Sequence, residues 1–137
     1  MKIKRLHPVA KMPTKGTKGA AGYDLFCTEL TTIRAGQTLK VPTGLAFEVP
    51  EGFCMVVYSR SSSMKNGLII TPLIVDSDYR GEVFVLVRNV NDAAYTVEVG
   101  DRIAQVKLEA LHPMDFEWTT ELSETSRDTG GFGSTGR

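Results

Sequence analysis

Short apolar segments alternate with clusters of Gly, Pro, Asp and Ser along most of the chain, and this pattern predicts strands joined by turns. The segments are rich in Val, Ile, Leu, Phe and Tyr, which favour the β conformation. No long window has the period of an amphipathic helix. The predicted strands are residues 2–6, 23–27, 30–33, 38–41, 45–49, 53–58, 68–70, 73–75, 84–87, 95–99 and 102–108.

Turn-forming residues separate these predicted strands. Residues 34–37 have Gly at the third position of a turn, and residues 50–52 contain Pro and Gly. Gly100-Asp101 predicts a hairpin between the strands on either side, and residues 64–66 are predicted to form a single helical turn capped by a preceding Ser. The 137 residues are therefore predicted to fold as one all-β domain: a sandwich, a barrel or a jelly roll.

The segment from Ser123 onward differs from the rest because it is rich in Gly, Ser and Thr and has little to bury. We therefore predict a β-rich core at residues 1–122 and a flexible tail at residues 123–137. The tail carries a cation, Arg127, and an aromatic ring, Phe132. Glycine-rich backbone can approach phosphate oxygens closely, and an aromatic ring can stack on a planar base.

Composition and charge narrow the classes of function. The formal net charge is zero, so no overall field attracts the chain to nucleic acid or to an anionic membrane. There is no long apolar run and no signal-peptide core, which predicts a cytoplasmic protein. Cys27 and Cys54 lack metal-ligand spacing and are predicted to be reduced core residues rather than a disulfide. His7 and His112 share no spacing with them, so no zinc site is expected.

The segment Leu73-Ile74-Val75-Asp76-Ser77-Asp78-Tyr79-Arg80-Gly81-Glu82-Val83 is the best candidate for chemistry. An apolar strand ends abruptly at two carboxylates, an aromatic ring, a cation and a glycine, and a second apolar strand follows. A polar turn between buried strands can hold reactive groups in a fixed place. Taken alone, the same residues also describe an ordinary hairpin with solvated charges.

Five further segments stand out along the chain: Ala20-Ala21-Gly22-Tyr23-Asp24-Leu25, Arg60-Ser61-Ser62-Ser63, Ile74-Val75-Asp76-Ser77-Asp78-Tyr79-Arg80-Gly81-Glu82, Gly100-Asp101-Arg102-Ile103-Ala104-Gln105 and Arg127-Asp128-Thr129-Gly130-Gly131-Phe132-Gly133-Ser134-Thr135-Gly136. They occur in the same order as the five motifs of the homotrimeric dUTPases, and the chain resembles that family from residue 20 to residue 136. The resemblance implies a jelly-roll-like subunit with a flexible tail, assembled into a homotrimer with three shared active sites. It also implies Mg²⁺-dependent hydrolysis of dUTP to dUMP and pyrophosphate, which lowers dUTP and supplies dUMP for thymidylate synthesis.

The resemblance assigns the phosphate chemistry to particular residues. Asp76 would orient and deprotonate the water that attacks the α-phosphorus. Arg60, Ser61 and Ser62 would bind the phosphates, and Gln105 would supply an amide contact to them. Asp78 would face away from Asp76 if the segment were extended, and we therefore interpret it as structural.

Selection of the base and the sugar is likewise implied by the resemblance. Backbone groups near Ile70 and at Leu73, Ile74 and Val75 would complement the donor and acceptor pattern of uracil. Tyr79 would lie under the deoxyribose and leave no room for a 2′-hydroxyl. The tail would then close over dUTP, and the residues implied in this closure are Arg127, Phe132, Gly133, Ser134 and Thr135.

The implied Mg²⁺ has no obvious set of protein ligands in the sequence. Magnesium usually keeps waters and substrate phosphates in its coordination shell, so we expect no direct protein ligand. Asp24 is expected either to hold water around the metal or to orient a neighbouring cation.

Two departures from the family pattern affect the base-reading loop. Leu73 stands where dUTPases commonly have a Gly before the two aliphatic residues and the catalytic Asp. The segment between Arg60 and Asp76 is also shorter than in many members. We therefore expect details of uracil recognition to differ, while the phosphate chemistry stays the same.

Two alternative functions compete with dUTP hydrolysis. The related dCTP deaminases carry a Glu where this chain has Leu86, so a deaminase or bifunctional enzyme is the weaker hypothesis. A trimeric binding protein that uses its nucleotide site as a regulatory switch is the other, and Asp76 argues against a purely non-catalytic role.

Overall fold

The computed structural model describes residues 1–130, and within them the chain forms eleven strands and one short helix. Each predicted strand is present, with ends that differ from the prediction by at most two residues, so the all-β prediction is confirmed. The elements in chain order are β1 (Lys2–Arg5), β2 (Tyr23–Phe26), β3 (Thr31–Ile33), β4 (Thr38–Pro42), β5 (Leu45–Glu48), β6 (Phe53–Tyr58), α1 (Ser61–Lys65), β7 (Leu68–Ile70), β8 (Leu73–Val75), β9 (Phe84–Asn89), β10 (Tyr95–Val97) and β11 (Arg102–Ala110).

Two larger sheets enclose the core. One has four strands in the order β2-β11-β6-β8, and the other has three in the order β4-β9-β7. Two further pairs, β1-β5 and β10-β3, complete the described part of the fold, and every pairing is antiparallel. Val57 and Val106 of the first sheet share one buried cluster with Val41, Val85 and Val87 of the second, because alternate side chains of each strand point inward.

Most paired strands lie far apart in the sequence, as in a jelly roll. The prediction of a hairpin at Gly100-Asp101 is wrong, because β10 pairs with β3, whereas β11 pairs with β2 and β6. The turn itself is present, with Gly100 at a φ of 87°. Its backbone is bound to Cys27, which accepts from the Gly100 amide at 2.8 Å and donates to the Asp101 carbonyl at 2.9 Å. The turn therefore connects β10 of one sheet to β11 of another.

The helix differs from the predicted helical turn. It begins at Ser61, three residues earlier than predicted, and the preceding Arg60 makes no side-chain capping bond. A serine cap was the wrong prediction because the hydroxyls bind elsewhere: Ser62 Oγ accepts from Arg60 Nη1 at 2.8 Å, and Ser63 Oγ donates to the Ile103 carbonyl at 3.2 Å. Among residues 1–130, no helix has the length and apolar character needed to cross a membrane.

Both cysteines are buried and unpaired, as predicted. Burial raises the pKa of the Cys27 thiol, and its Sγ donates to the Glu29 carbonyl at 2.8 Å. A neutral, hydrogen-bonded thiol in the interior is a packing residue rather than a nucleophile.

Asn89 is a fully buried polar residue that joins three parts of the chain. Its Nδ2 donates to the carbonyls of Ile33 at 2.9 Å and Ala93 at 2.8 Å. Its Oδ1 accepts from the backbone and side-chain nitrogens of Asn91 at 3.0 and 2.8 Å. The amide therefore fastens β3 and the turn after β9 to the end of β9.

We predict that Asn89→Ala lowers the free energy of unfolding by about 1–3 kcal/mol, because it leaves the buried Ile33 carbonyl unpaired. Urea unfolding at a fixed protein concentration measures this. Asp92→Ala, at an exposed position in the following turn, is the control and should change the free energy by less than about 0.5 kcal/mol. Equal effects of the two substitutions would contradict the role given to Asn89.

Candidate active site

Two arginines from different elements converge on one carboxylate. Asp24 in β2 accepts from Arg60 Nε at 2.8 Å and from Arg102 Nη1 at 3.4 Å. The side chains of Asp24 and Arg60 are only 12% and 19% exposed, so water screens their attraction weakly. Of the two roles expected for Asp24, this geometry favours the orientation of a neighbouring cation.

Arg60 is held in one orientation by further contacts. Its Nη1 donates to Ser62 Oγ at 2.8 Å and to the Arg102 carbonyl at 3.1 Å. Together with the bond to Asp24, these contacts use Nε and Nη1, which leaves the hydrogens of Nη2 for an anion. The guanidinium groups of Arg60 and Arg102 against the single carboxylate of Asp24 also give these three side chains a net positive charge.

Gln105 lies beside the same cluster, directly opposite Asp24 on the neighbouring strand. Its Nε2 donates to the Ser59 carbonyl at 2.8 Å, which leaves one N–H for another acceptor. A Cβ atom at Gly22 would lie 2.5 Å from Gln105 Oε1, so a side chain there would push this amide out of its position. Arg60, Gln105 and the exposed hydroxyls of the helix start therefore form one group, which we name the phosphate-side cluster after its predicted role. Its members are Asp24, Arg60, Ser61, Ser62 and Gln105.

A slot of about 240 Å³ lies along β8, at the edge of the four-stranded sheet. This volume is just below the usual range for small-molecule sites, which begins at roughly 300 Å³. The residues that line it are Lys40, Leu73, Ile74, Val75, Asp76, Tyr79, Glu82, Val83 and Phe84. The slot therefore contains Asp76, Tyr79 and the three base-reading residues predicted in β8.

The backbone of β8 has one unpaired edge in the described structure. The strand pairs with β6 on one side, through Met55↔Val75 and Val57↔Leu73, and ends the sheet on the other. An edge strand presents N–H and C=O groups in alternation, and these can pair with a planar base as with another strand. Leu73 packs against the core instead of leaving the gap that a glycine would leave, whereas the Ile74 side chain is 68% exposed.

Asp76 directly follows β8 and opens a tight turn. The Tyr79 amide donates to the Asp76 carbonyl at 3.2 Å, so the segment is not extended, and the strand alternation used for Asp78 does not apply. Asp76 and Asp78 nevertheless line different cavities. Asp78 lines a different cavity of about 570 Å³ on the other side of the turn, together with Ser77 and Arg80.

The phosphate-side cluster and Asp76 lie at opposite ends of the β6–β8 pair. Val57 is opposite Leu73, Arg60 follows β6 beyond one end, and Asp76 follows β8 beyond the other. Six residue steps separate the level of Arg60 from that of Asp76, which is about 20 Å along extended strands. Within one chain these predicted site residues are therefore not brought together. Ile70 is also outside the slot, buried in β7 of the other sheet.

Sequence reasoning missed four residues that line the slot: Lys40, Glu82, Val83 and Phe84. Lys40 comes from β4, and its Nζ lies 5.8 Å from the centre of the Phe84 ring. No local signal could have found Lys40, because β4 reaches the slot only through its pairing with β9. Glu82 and Phe84 lie within or just after the motif and could have been found from that proximity.

The described residues contain no group of three or more His, Cys, Asp or Glu side chains that could hold a metal ion. Both carboxylate oxygens of Asp24 are bound to arginines. Asp76 is exposed at the mouth of the slot. This donor set suits a metal that arrives on substrate phosphates and keeps most of its water ligands.

Residues 111–130 contain no strand or helix. Arg127 is exposed, and its Nε donates to the Gly130 carbonyl at 2.9 Å, within a local turn of the tail. The other predicted tail contacts lie outside the described residues: Phe132, Gly133, Ser134 and Thr135. The boundary between core and tail at residue 122 stays a prediction.

Comparison with known proteins identifies the family. The family model for dUTPase matches residues 9–136. A deoxyuridine 5'-triphosphate nucleotidohydrolase of Rhizobium leguminosarum bv. trifolii is 46% identical over 132 residues, covering 91% of this chain and 85% of that protein. One of Helicobacter pylori (strain P12) is 38% identical over 139 residues, covering 99% and 96%. The structure of the Staphylococcus bacteriophage 80alpha dUTPase G164S mutant with dUpNHpp matches with a TM-score of 0.92 and 25% identity, covering 99% of this chain and 98% of that one. The chain therefore belongs to the dUTPase family.

Proposed function

We propose that this chain hydrolyses dUTP to dUMP and pyrophosphate. The observation that carries the proposal is the slot along β8, which brings together an open strand edge for the base, Tyr79 for the sugar and Asp76 for the α-phosphate. Relatives that span almost the whole chain are named deoxyuridine 5'-triphosphate nucleotidohydrolases, and the phage enzyme was solved with dUpNHpp.

The base and the sugar are selected by groups of the slot. Backbone groups on the free edge of β8 pair with uracil, whose N–H lies between two carbonyls. Cytosine presents the opposite pattern and would leave buried polar groups unpaired, which costs far more than a lost van der Waals contact. The half-exposed ring of Tyr79 lies against the deoxyribose and occupies the space of a 2′-hydroxyl.

The phosphates are bound by the phosphate-side cluster of another subunit. Arg60 presents Nη2, Gln105 presents one N–H, and Ser61 presents its hydroxyl and the unpaired amide of the first helical turn. Asp24 fixes the direction in which Arg60 presents its charge. Because these donors are held before the substrate arrives, little reorganisation is needed when charge develops on the phosphoryl oxygens.

Asp76 acts on the attacking water. Its carboxylate accepts a proton from water positioned in line with the bond between the α-phosphorus and the bridging oxygen, and that bond breaks to release pyrophosphate. An ordinary carboxylate is a weak base at neutral pH, so placement of the water contributes most of its effect. Mg²⁺, when bound on the triphosphate, neutralises phosphate charge, and no residue of the chain needs to coordinate it directly.

A homotrimer with shared sites is part of this proposal. The separation of Asp76 from the phosphate-side cluster requires a second copy of the chain to complete each site. The segment after β11 supports assembly, because its apolar side chains have no partner within the described residues of one chain. Their exposures are Leu111 52%, Met114 72%, Phe116 88%, Trp118 103% and Leu122 86%. Burial of several such residues between copies is worth roughly 1.5–3 kcal/mol each.

We place the reaction in the cytoplasm, where its product dUMP serves thymidylate synthesis and dUTP is kept low. Of the alternatives, the deaminase is not favoured, because Leu86 in β9 is apolar and is not among the residues that line the slot. No contact among the described residues favours a regulatory switch without hydrolysis.

The substrate prediction is a preference for dUTP. The protein with Mg²⁺ is incubated separately with dUTP, dTTP, dCTP and UTP, and pyrophosphate release is measured. We expect kcat/KM for dUTP to exceed that for each of the others by at least about 100-fold, the scale on which a mismatched polar pattern is rejected. Equal rates on all four nucleotides would overturn the proposed function, and release of ammonia from dCTP would support the deaminase.

The second prediction concerns the sharing of sites between subunits. Asp76→Asn should abolish turnover yet retain dUTP binding, and Arg60→Ala should abolish turnover by removing phosphate contacts. When the two inactive variants are co-expressed and purified as mixed trimers, about a quarter of the sites would receive both intact residues from different subunits. Activity should therefore return to about a quarter of the wild-type value.

Mixed trimers that remain inactive would show that Asp76 and Arg60 act in the same chain. The control is a double variant with both substitutions in one chain, co-expressed with the wild-type chain. With this mixture, a quarter of the sites have two intact residues if those residues come from different subunits, and half of the sites do if both come from one subunit. The two experiments thus discriminate shared from unshared sites independently.

The third prediction concerns the tail. Deletion of residues 127–137 should lower kcat/KM for dUTP by at least about 100-fold, because charge-assisted contacts to the phosphates are lost. The melting temperature should change by less than about 4 °C, since the described tail residues bury little. Loss of the folded trimer on truncation would show instead that the tail is structural.

A further inference from the structure

Gly81 lies directly beneath the Tyr79 ring. A Cβ atom at position 81 would lie 2.4 Å from Tyr79 Oη and 2.6 Å from its Cζ, whereas ordinary contacts are 3.4–4 Å. Any side chain at this position would therefore displace the ring by roughly 1 Å or more. The ring is the wall on which the proposed sugar selection depends, and the inference below rests on that proposed role.

The backbone at Gly81 does not itself require glycine. The glycines with positive φ in the described chain are Gly36, Gly44, Gly52, Gly67 and Gly100, and Gly81 is not one of them. Alanine could adopt the same backbone conformation without strain. The requirement for glycine at position 81 is therefore a requirement for space under Tyr79.

The other end of the Tyr79 ring is also fixed. Tyr79 Oη donates to the Glu82 carbonyl at 3.0 Å, so the ring lies back across its own turn. Glu82 is fixed in turn, because its Oε1 accepts from the Gly44 amide at 2.7 Å. The ring is thus held in one position, by the close approach of the glycine below it and by the carbonyl that accepts from its hydroxyl.

The turn that contains Tyr79 and Gly81 is hydrogen-bonded to the protein interior. Thr43 is fully buried, and its Oγ1 donates to the Val83 carbonyl at 2.5 Å. The Val83 amide donates to the Leu45 carbonyl at 2.9 Å. With the bond from Gly44 to Glu82, three hydrogen bonds tie residues 82–83 to residues 43–45. A displaced Tyr79 ring cannot be accommodated by a shift of the turn as a whole.

We propose that Gly81 is a positioning residue that sets sugar selectivity through Tyr79. By omitting a side chain, it lets the ring lie low enough to admit deoxyribose while still occupying the space of a 2′-hydroxyl. A Cβ at position 81 breaks the hydrogen bond between Tyr79 Oη and the Glu82 carbonyl and displaces the ring. The ring then no longer separates deoxyribose from ribose.

The test compares Gly81→Ala with Gly16→Ala. A Cβ at Gly16 meets nothing within 4 Å, and Gly16 lies in a loop away from the slot, so it is a matched control for the loss of a glycine. For Gly81→Ala we expect the ratio of kcat/KM for dUTP to that for UTP to fall at least tenfold. The KM for dUTP should carry most of the change, with kcat within about threefold, because the ring contacts sugar rather than the reacting atoms.

A double-mutant cycle with Tyr79→Ala separates positioning from a general structural effect. Without the ring, a Cβ at position 81 has nothing to displace, so Tyr79→Ala/Gly81→Ala should have the same selectivity as Tyr79→Ala alone. This comparison remains valid if Gly81→Ala by itself folds poorly, since the double variant lacks the clash. A further loss of selectivity in the double variant would overturn the proposal.

The outcomes also separate this inference from the proposed function. If Tyr79→Ala keeps the wild-type preference for dUTP over UTP, the sugar role of Tyr79 is wrong. If Tyr79→Ala loses that preference while Gly81→Ala and Gly16→Ala both retain it, only the role of Gly81 is wrong. If the wild-type chain fails to hydrolyse dUTP, the proposed function itself is wrong.

Discussion

The antiparallel pairing of β6 with β8 is the constraint on which the arrangement of the site depends. Its register places Arg60 beyond one end of the pair and Asp76 beyond the other. A slip of one residue would turn buried Val57 and Val75 out of the core, so the register is fixed by the same burial that stabilises the domain. The separation of Arg60 from Asp76 along this pair is therefore a property of the fold.

The slot and the phosphate-side cluster owe their rigidity to different physical causes. Electrostatics orders the cluster, because a weakly exposed carboxylate holds Arg60 by a short charge-assisted bond. Close packing and backbone bonds order the slot, where Thr43 and Gly44 fasten the turn after Asp76. Both devices let exposed groups keep fixed positions, as a preorganised site requires.

The strands could be predicted because alternation and β-forming composition are local properties of the chain. Asp76, Tyr79 and Arg60 could be proposed as candidate site residues because they stand in recognisable motifs, and the structure places the first two in one slot. The serine cap failed because the hydroxyls found better partners in the tertiary structure. Lys40 was missed because only the pairing of β4 with β9 brings it to the slot.

Local patterns in the sequence were enough to predict the all-β class, the positions of strands and turns, and the chemical groups available at each turn. The pairing of strands appears only in the folded domain, as do the contact of Asp24 with Arg60, the connection of different sheets by the Gly100 turn, and the packing of Tyr79 on Gly81. The physical reason is that alternation within a strand specifies which side chains are buried but not which strand lies alongside. Contacts between residues distant in sequence arise from the packing of the whole domain, and no local pattern encodes them.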